Sequence, residues 1–291
     1  MREIVKVAGG LANKMFHCAF AISLRSLGCD VMIDTKSQKA EFSHDVLSLR
    51  RIFPYLDLAE YEGREYKYAA DDSMIGKIMR RIPILTGKHY YISHCHGFDD
   101  AFINRIKENG YVIGYFQNEL YFKNCEDEVR KVFEFADIEG ENNLQLLDDL
   151  KKQNSVCLHV RKGDGYSNWP EFAGTCPVEY YRKAVDCLEK SDSQLYYYVF
   201  TDSPEWVKQN FGWLDYKLVD WNPCVGWGNH FDMQLMSNSK HCIIANSTYS
   251  WWAAWLNRYS KKIIVAPRIW FNLNSSKKIQ PDIIPSGWVL I

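Results

Sequence analysis

The chain has 291 residues, room for one large domain or two ordinary ones, and its 47% hydrophobic and 24% charged content suits a globular protein with a core. Its 35 basic and 36 acidic residues leave a formal charge of −1, which argues against a general nucleic-acid binder and makes any cationic site a local one. Nine scattered cysteines, odd in number and without a Cys-x-x-Cys pair, read as reduced thiols rather than a disulfide framework.

Residues 4–8 are predicted as a short buried strand and 9–13 as the turn after it. A helix follows over 14–27, with Phe16, Phe20, Leu24 and Leu27 on one stripe and Gly28 as its stop. Residues 29–33 return as a second strand, a βαβ-like opening. The chain enters this pattern at once, so no signal peptide is expected. No run of 18 apolar residues predicts a membrane span. The expected location is cytoplasmic, with peripheral attachment to the inner membrane face left open.

The segment 34–88 carries weaker signals. Helices are expected over 46–53 and 73–81, punctuated by Pro54 and Pro83. Residues 111–116 read as a strand and 121–135 as a helix. Over 138–154 the composition turns polar around a small amphipathic helix through Leu144, Leu147 and Leu150, and the domain boundary is placed there, giving domains 1–150 and 151–291. Beyond it, strands at 155–160, 195–200, 216–220, 241–245 and 262–267 alternate with helices near 177–189, 204–211, 231–239 and 249–258. Such alternation predicts a parallel, doubly wound sheet. The tail 270–291 has no clear signature and is expected to pack back on the N-terminal domain.

Several signatures are absent: no Walker-type phosphate loop, no Gly-x-Gly-x-x-Gly, no His-Glu-x-x-His and no Gly-x-Ser-x-Gly. There is also no Asp-x-Asp, the pair with which metal-dependent sugar-nucleotide transferases commonly hold their cation. His89, His94, Cys95 and His96 cluster in sequence but lack recognisable ligand spacing, so no metal site is assigned.

Three stretches carry chemistry. In Ser155-Val-Cys-Leu-His159-Val-Arg161-Lys162-Gly-Asp164 a buried strand ends in two cations and a carboxylate, where open α/β sheets bind ligands. Arg161 offers a planar fork to a phosphate and Lys162 a point charge. In Phe200-Thr-Asp202-Ser-Pro204 another strand ends in Asp202, which either caps the next helix or points at the same crevice. In the third, Asp232 opens a helix, and a strand then runs through Asn246-Ser247-Thr248-Tyr-Ser250 into Trp-rich Trp251-Trp-Ala-Ala-Trp255. Asn246, Ser247, Thr248 and Ser250 lie where helix amides face an anion, although capping alone would explain them.

Together, His159-x-Arg161-Lys162-x-Asp164, Phe-Thr-Asp202, Asp232-x-x-Leu-Met-Ser and Asn246-Ser-x-x-Ser-Trp-Trp resemble the α-1,2-fucosyltransferases of glycosyltransferase family 11, bacterial type. The opening Gly9-Gly10-Leu-Ala-Asn13-Lys-Met-Phe16, with His17 behind it, is similar to that family's Gly-Gly-Leu-Gly-Asn-Gln-Met-Phe start. The resemblance implies a GT-B-like α/β fold of two Rossmann-like domains, with a parallel sheet in the C-terminal half. The acceptor would lie mainly on the first domain and GDP-fucose mainly on the second. It further implies inverting, metal-independent transfer of L-fucose from GDP-β-L-fucose to the 2-OH of a galactose in an oligosaccharide or lipid-linked glycan. His159 and Asp232 would contact guanine, and Arg161 the diphosphate. Arg161, Asp164 and Glu171 are the catalytic candidates, the last two and His17 competing as proton acceptor.

Lys162 stands where the family has a second Arg, Ala12 for a Gly, Lys14 for a Gln and Ser203 for a second Asp. The competing readings are a transferase with another linkage, acceptor or GDP-sugar, and a non-catalytic lectin built on the aromatic surplus. A nicotinamide-dependent enzyme lacks its glycine fingerprint at Gly9-Gly10.

Overall fold

Glu3, Ile4 and Val5 are buried in the central strand of a parallel sheet, and Val7 just beyond it is fully buried as well. The computed structural model describes residues 2–36, 46–63, 67–68, 73–94, 97–106, 109–163, 166–274 and 280–291. It divides into two compact units, Met1–Ala136 and Asp137–Ile291.

The first unit runs β1 (Arg2–Lys6), α1 (Leu11–Ser26), β2 (Asp30–Asp34), α2 (Val46–Ile52), β3 (Ala59–Glu60), α3 (Met74–Met79), α4 (Pro83–Thr86), β4 (His89–Ile92), α5 (Asp100–Arg105) and β5 (Gly110–Ile113). It closes with a 3-10 segment (Glu119–Cys125) and α6 (Glu126–Val132). The sheet order is β3-β2-β1-β5-β4. Strands β3 and β4 escape a sequence reading because two and four residues are too few to establish a period. The strand expected over 111–116 stops at Ile113, where its pairing with β4 ends, and Phe116 beyond it adopts a left-handed φ of 52°. The helix expected over 121–135 is broken at Phe122, whose φ of −132° is not helical. Leu27, expected on the apolar stripe of α1, is exposed beyond the helix end.

The second unit runs α7 (Glu141–Lys152), β6 (Ser155–Val160), α8 (Val178–Ser191), β7 (Tyr196–Thr201), α9 (Pro204–Asn210), β8 (Tyr216–Val219), α10 (Phe231–Met236), β9 (His241–Ile243), α11 (Thr248–Leu256), β10 (Ile264–Ala266) and β11 (Val289–Leu290). Its order is β11-β10-β9-β6-β7-β8, all neighbours parallel. The chain lays down β6, β7 and β8 in one direction and then returns to build β9, β10 and β11 on the other side of β6. This is the doubly wound arrangement, with its reversal between β6 and β9. Two Rossmann-like parallel-sheet units in succession place the chain in the GT-B-like α/β class.

The units divide at Ala136/Asp137 rather than at 150/151. Helix α7 belongs to the second sheet: Leu146 and Leu150 are buried, and Ser155 Oγ donates to the Leu150 carbonyl at 2.7 Å. The tail also stays with this unit. Trp251 Nε1 donates to the Ile283 carbonyl at 2.8 Å, Trp288 packs 5.7 Å from the Trp251 ring, and β11 pairs with β10. Helix α11 is apolar on all sides, with Trp251, Trp252 and Trp255 buried, and so forms core rather than a surface face.

Candidate active site

Doubly wound sheets leave a crevice at the strand carboxyl ends where the order reverses. In the second unit that crevice lies between β6 and β9, and the sequence places His159-Val160-Arg161 on one lip and Asn246-Ser247-Thr248 on the other.

Asp202, one residue past β7, organises the first lip. Its Oδ2 accepts from Arg161 Nη1, while its Oδ1 accepts from the amides of Lys162 at 2.9 Å and Gly163 at 3.0 Å. Both oxygens are thus engaged in shaping the loop, which makes Asp202 a positioning residue. Gly163 is needed there, because a Cβ would come within 2.6 Å of the Asp202 carbonyl oxygen. The Arg161 guanidinium lies 5.3 Å from the Tyr166 ring centroid, a cation–π contact, and remains partly open to solvent. Lys162 turns the other way, donating to the Thr175 carbonyl at 2.7 Å beside the Trp206 ring, and burial lowers its pKa.

His159 is buried, and among the described residues its Nδ1 has no hydrogen-bond partner. Burial lowers its pKa to about 4, with Asp202 opposing and Arg161 assisting, so it is neutral at pH 7. An unsatisfied ring nitrogen at a strand terminus is costly unless a ligand completes it. Its ring lies 5.8 Å from Tyr249, whose hydroxyl accepts from the Met233 amide at 2.8 Å and donates to the Asn229 carbonyl at 2.6 Å. Tyr249 therefore ties the His159 lip to the start of α10, where Asp232 stands. Asn222 Nδ2 donates to Asp232 Oδ1 at 2.8 Å and to Asn143 Oδ1 at 2.9 Å, and Trp221 Nε1 also donates to Asn143 Oδ1. Burial raises the Asp232 pKa to about 7, the Asn222 hydrogen bond opposing it.

The second lip is mostly architectural. Asn246 Nδ2 donates to Thr175 Oγ1 and to the Trp270 carbonyl, each at 2.9 Å, its Oδ1 accepts from Cys176 Sγ at 3.4 Å, and its carbonyl accepts from the Tyr166 hydroxyl at 2.7 Å. With its amide so engaged and buried, Asn246 braces the loops around the crevice. Ser250 is fully buried. Ser247 caps α11, its Oγ accepting from the Tyr249 amide at 3.3 Å; it and Thr248 are half-buried and flank the helix N-terminus.

A family model described as glycosyl transferase family 11 matches residues 84–291, which span this entire crevice. The chain belongs to glycosyl transferase family 11. It is 29% identical to an α-1,2-colitosyltransferase of Escherichia coli, over 99% of this chain and 98% of that protein. It is 30% identical to the O-antigen biosynthesis glycosyltransferase WbnK of Escherichia coli, over 95% of this chain and 97% of that protein. Among solved structures it is similar to NodZ α-1,6-fucosyltransferase soaked with GDP-fucose, with 14% identity, a TM-score of 0.46, and coverage of 88% and 92% of the two chains.

The remaining expected residues of this family 11 chain lie elsewhere or carry other contacts. Asp164 falls outside the described residues. Glu171 is half-buried; its carbonyl accepts from the Asn272 amide at 2.7 Å, and its carboxylate has no partner among the described residues. In the first unit the sheet order reverses between β1 and β5, and Gly9, Gly10, Asn13 and His17 gather there. Gly9 has φ +82°, which makes the turn after β1 a glycine position. Asn13 Oδ1 accepts from Gln117 Nε2 at 2.9 Å. His17 Nε2 donates to the Gly114 carbonyl at 2.8 Å, and its Nδ1 accepts from the Ala8 amide at 3.5 Å. Burial lowers its pKa to about 4. Both ring nitrogens of His17 are committed to joining the two loops, so it is not poised to take a proton.

Among the described residues no group of three or more His, Cys, Asp or Glu could hold a metal; Cys95 and His96 lie outside them. No helix among the described residues is long and apolar enough to cross a membrane. Sequence reasoning passed over Tyr166, whose hydroxyl donates to the Asn246 carbonyl of the second lip, and Tyr249, whose hydroxyl bonds Asn229 and Met233 at the start of α10. Tyr249 was legible only as an unassigned position inside Asn-Ser-x-x-Ser.

Proposed function

We propose that this family 11 glycosyltransferase moves L-fucose from GDP-β-L-fucose to the 2-OH of a terminal galactose, inverting the anomeric centre without a metal. The observation that carries the reading is the pairing, in one crevice, of buried His159, whose Nδ1 has no hydrogen-bond partner among the described residues, with an Arg161 held by Asp202. Arg161 takes the diphosphate, where negative charge grows on the β-phosphate as the glycosidic bond breaks, and the N-terminus of α11 at Ser247 and Thr248 adds its dipole. Asp232, ionised, accepts from the guanine N1–H and amino group, and neutral His159 completes its own hydrogen bonding on the nucleotide. The proton of the acceptor hydroxyl goes to Asp164 or Glu171. The first unit, with Gly9, Gly10 and Asn13, serves the acceptor, a galactose-containing oligosaccharide or lipid-linked glycan.

A second donor, a GDP-linked colitose, is favoured by the similarity to the α-1,2-colitosyltransferase over nearly the whole chain. The deciding experiment offers GDP-fucose and GDP-colitose in separate assays over galactose-terminated acceptors, with and without EDTA, and determines product linkage by NMR. Fucosyl transfer to the 2-OH that survives EDTA supports the first reading. Transfer from GDP-colitose alone replaces the donor. A linkage elsewhere, or loss with EDTA that Mn²⁺ restores, overturns the corresponding part.

A further inference from the structure

Residues 73–88 present apolar side chains outward that the first unit does not bury. Met74, Ile75 and Ile78 of α3 are 78%, 72% and 49% exposed, Ile82 in the link to α4 is 37% exposed, and Ile84 of α4 is 91% exposed. Scattered exposed aliphatics are ordinary, but a run of five within eleven residues is a patch that calls for a partner.

The same segment carries Lys77, Arg80, Arg81 and Lys88 and no Asp or Glu, in a chain whose formal net charge is −1. Lys77 and Arg81 are exposed. Arg80 is half-buried and donates to the Tyr68 carbonyl, and Lys88 is buried and donates to Asn109 Oδ1, so those two hold the segment in place. Asp71 and Asp72 precede it and lie outside the described residues. The two turns are pre-ordered: Ser73 Oγ accepts from the Gly76 amide at 3.1 Å, and Gly87 closes α4 with a left-handed φ of 70°. Because α4 leads through Gly87 into the amino end of β4, an edge strand, the patch lies away from the strand carboxyl ends of its own sheet.

We propose that this face docks on an anionic phospholipid bilayer, with Met74, Ile75, Ile78, Ile82 and Ile84 entering the outer part of the leaflet and Lys77 and Arg81 resting on lipid phosphates. Aliphatic area with adjacent cations is what interfacial adsorption requires. A protein-binding surface draws instead on aromatic anchors, and residues 73–88 contain none. The inference does not depend on the donor or acceptor.

The test is co-sedimentation of the full chain with vesicles of phosphatidylglycerol and phosphatidylethanolamine, and separately with phosphatidylcholine vesicles, at low and high salt. The intact protein binds the anionic vesicles and is released by salt. Ile75→Ser and Ile84→Ser each lower partitioning by roughly tenfold. Lys77→Glu and Arg81→Glu each lower binding to anionic vesicles by about fivefold and leave the phosphatidylcholine result unchanged. Thermal midpoints stay the same, because the substituted side chains face solvent. No binding by the intact protein, or equal binding by all variants, overturns the proposal. So does a dimer in sedimentation velocity that Ile84→Ser converts to monomer, because the face would then belong to a second copy.

Discussion

Asp202 holds Arg161 with one carboxylate oxygen and, with the other, the two backbone amides that follow Arg161. The guanidinium and the loop that carries it are therefore set by a single side chain just past the end of the neighbouring strand. Arg161→Ala is expected to reduce turnover by roughly 10²–10³-fold through lost leaving-group stabilisation. Asp202→Ala should also lower kcat and raise the donor KM, and the double variant should fall little further than Arg161→Ala alone, since the pair acts as a unit. Steady-state kinetics on the four proteins checks this; additive losses would separate the two residues.

Gly163→Ala probes the same loop without touching charge. Its Cβ would need to displace the Asp202 backbone from 2.6 Å, so stability is expected to fall by about 1–3 kcal/mol. Thermal denaturation measures the fall, and the transfer rate should drop with it as Arg161 moves. A variant with unchanged melting and activity would show that the loop yields at no cost.

Asp232 links binding and stability with opposite signs. Its folded pKa of about 7 lies above the ordinary carboxylate value because burial disfavours the charge. The folded state thus holds the proton longer than the unfolded chain, and this group's stabilising contribution fades as pH rises through about 7. Asp232→Asn, which keeps an acceptor for Asn222, should be more stable than the parent at pH 8 while binding GDP more weakly. Calorimetric titration with GDP and denaturant melts across pH 5 to 8 measure both, with parent donor affinity weakening as pH falls below about 7.

Asn246→Ala should behave as a structural lesion. Removing the amide leaves the Trp270 carbonyl and the Cys176 thiol without the partner Asn246 supplies, at about 1–3 kcal/mol for each buried group left unsatisfied, while the Thr175 hydroxyl keeps its bond to the Phe172 carbonyl. The expected result is a lower melting temperature with donor affinity lost only as the protein unfolds. A stable variant with a selectively weakened donor KM would restore Asn246 to the binding set.

His17 and His159 share a sign opposite to that of Asp232. Each has a folded pKa of about 4, lowered first by burial, so the unfolded chain takes up the proton sooner. Their contribution is present above the ordinary histidine value near 6.5 and is lost as pH falls toward 4. His17→Gln, which can still bridge the two loops, should show a shallower loss of stability over that interval. An unchanged slope in denaturant melts would exclude His17 as a source.

Much of the second unit was legible in sequence. Strands β6, β7 and β8 and helices α8 and α9 lie within a residue or two of expectation; for β6 and β7 this is because buried runs of about six residues between helical repeats admit few readings. The first unit was less so. Two-residue β3 leaves no period to read, and Phe122 breaks a helical pattern that its neighbours support.

The sequence by itself determined the alternation of strands and helices, the cationic end of β6 and the resemblance that family membership bears out, since these depend on residue type and spacing. Only the tertiary structure decided the strand order that brings β9 beside β6, and with it the contacts that divide the expected residues. It engages Asp202 and Asn246 in bracing, leaves His159 Nδ1 without a partner among the described residues and sets Tyr249 between His159 and the start of α10. The reason is physical: hydrogen-bonding capacity at a strand end is finite, and which groups consume it depends on neighbours distant in the chain, as Gly163 with Asp202, 39 residues on, and Tyr166 with Asn246, 80 residues on, illustrate.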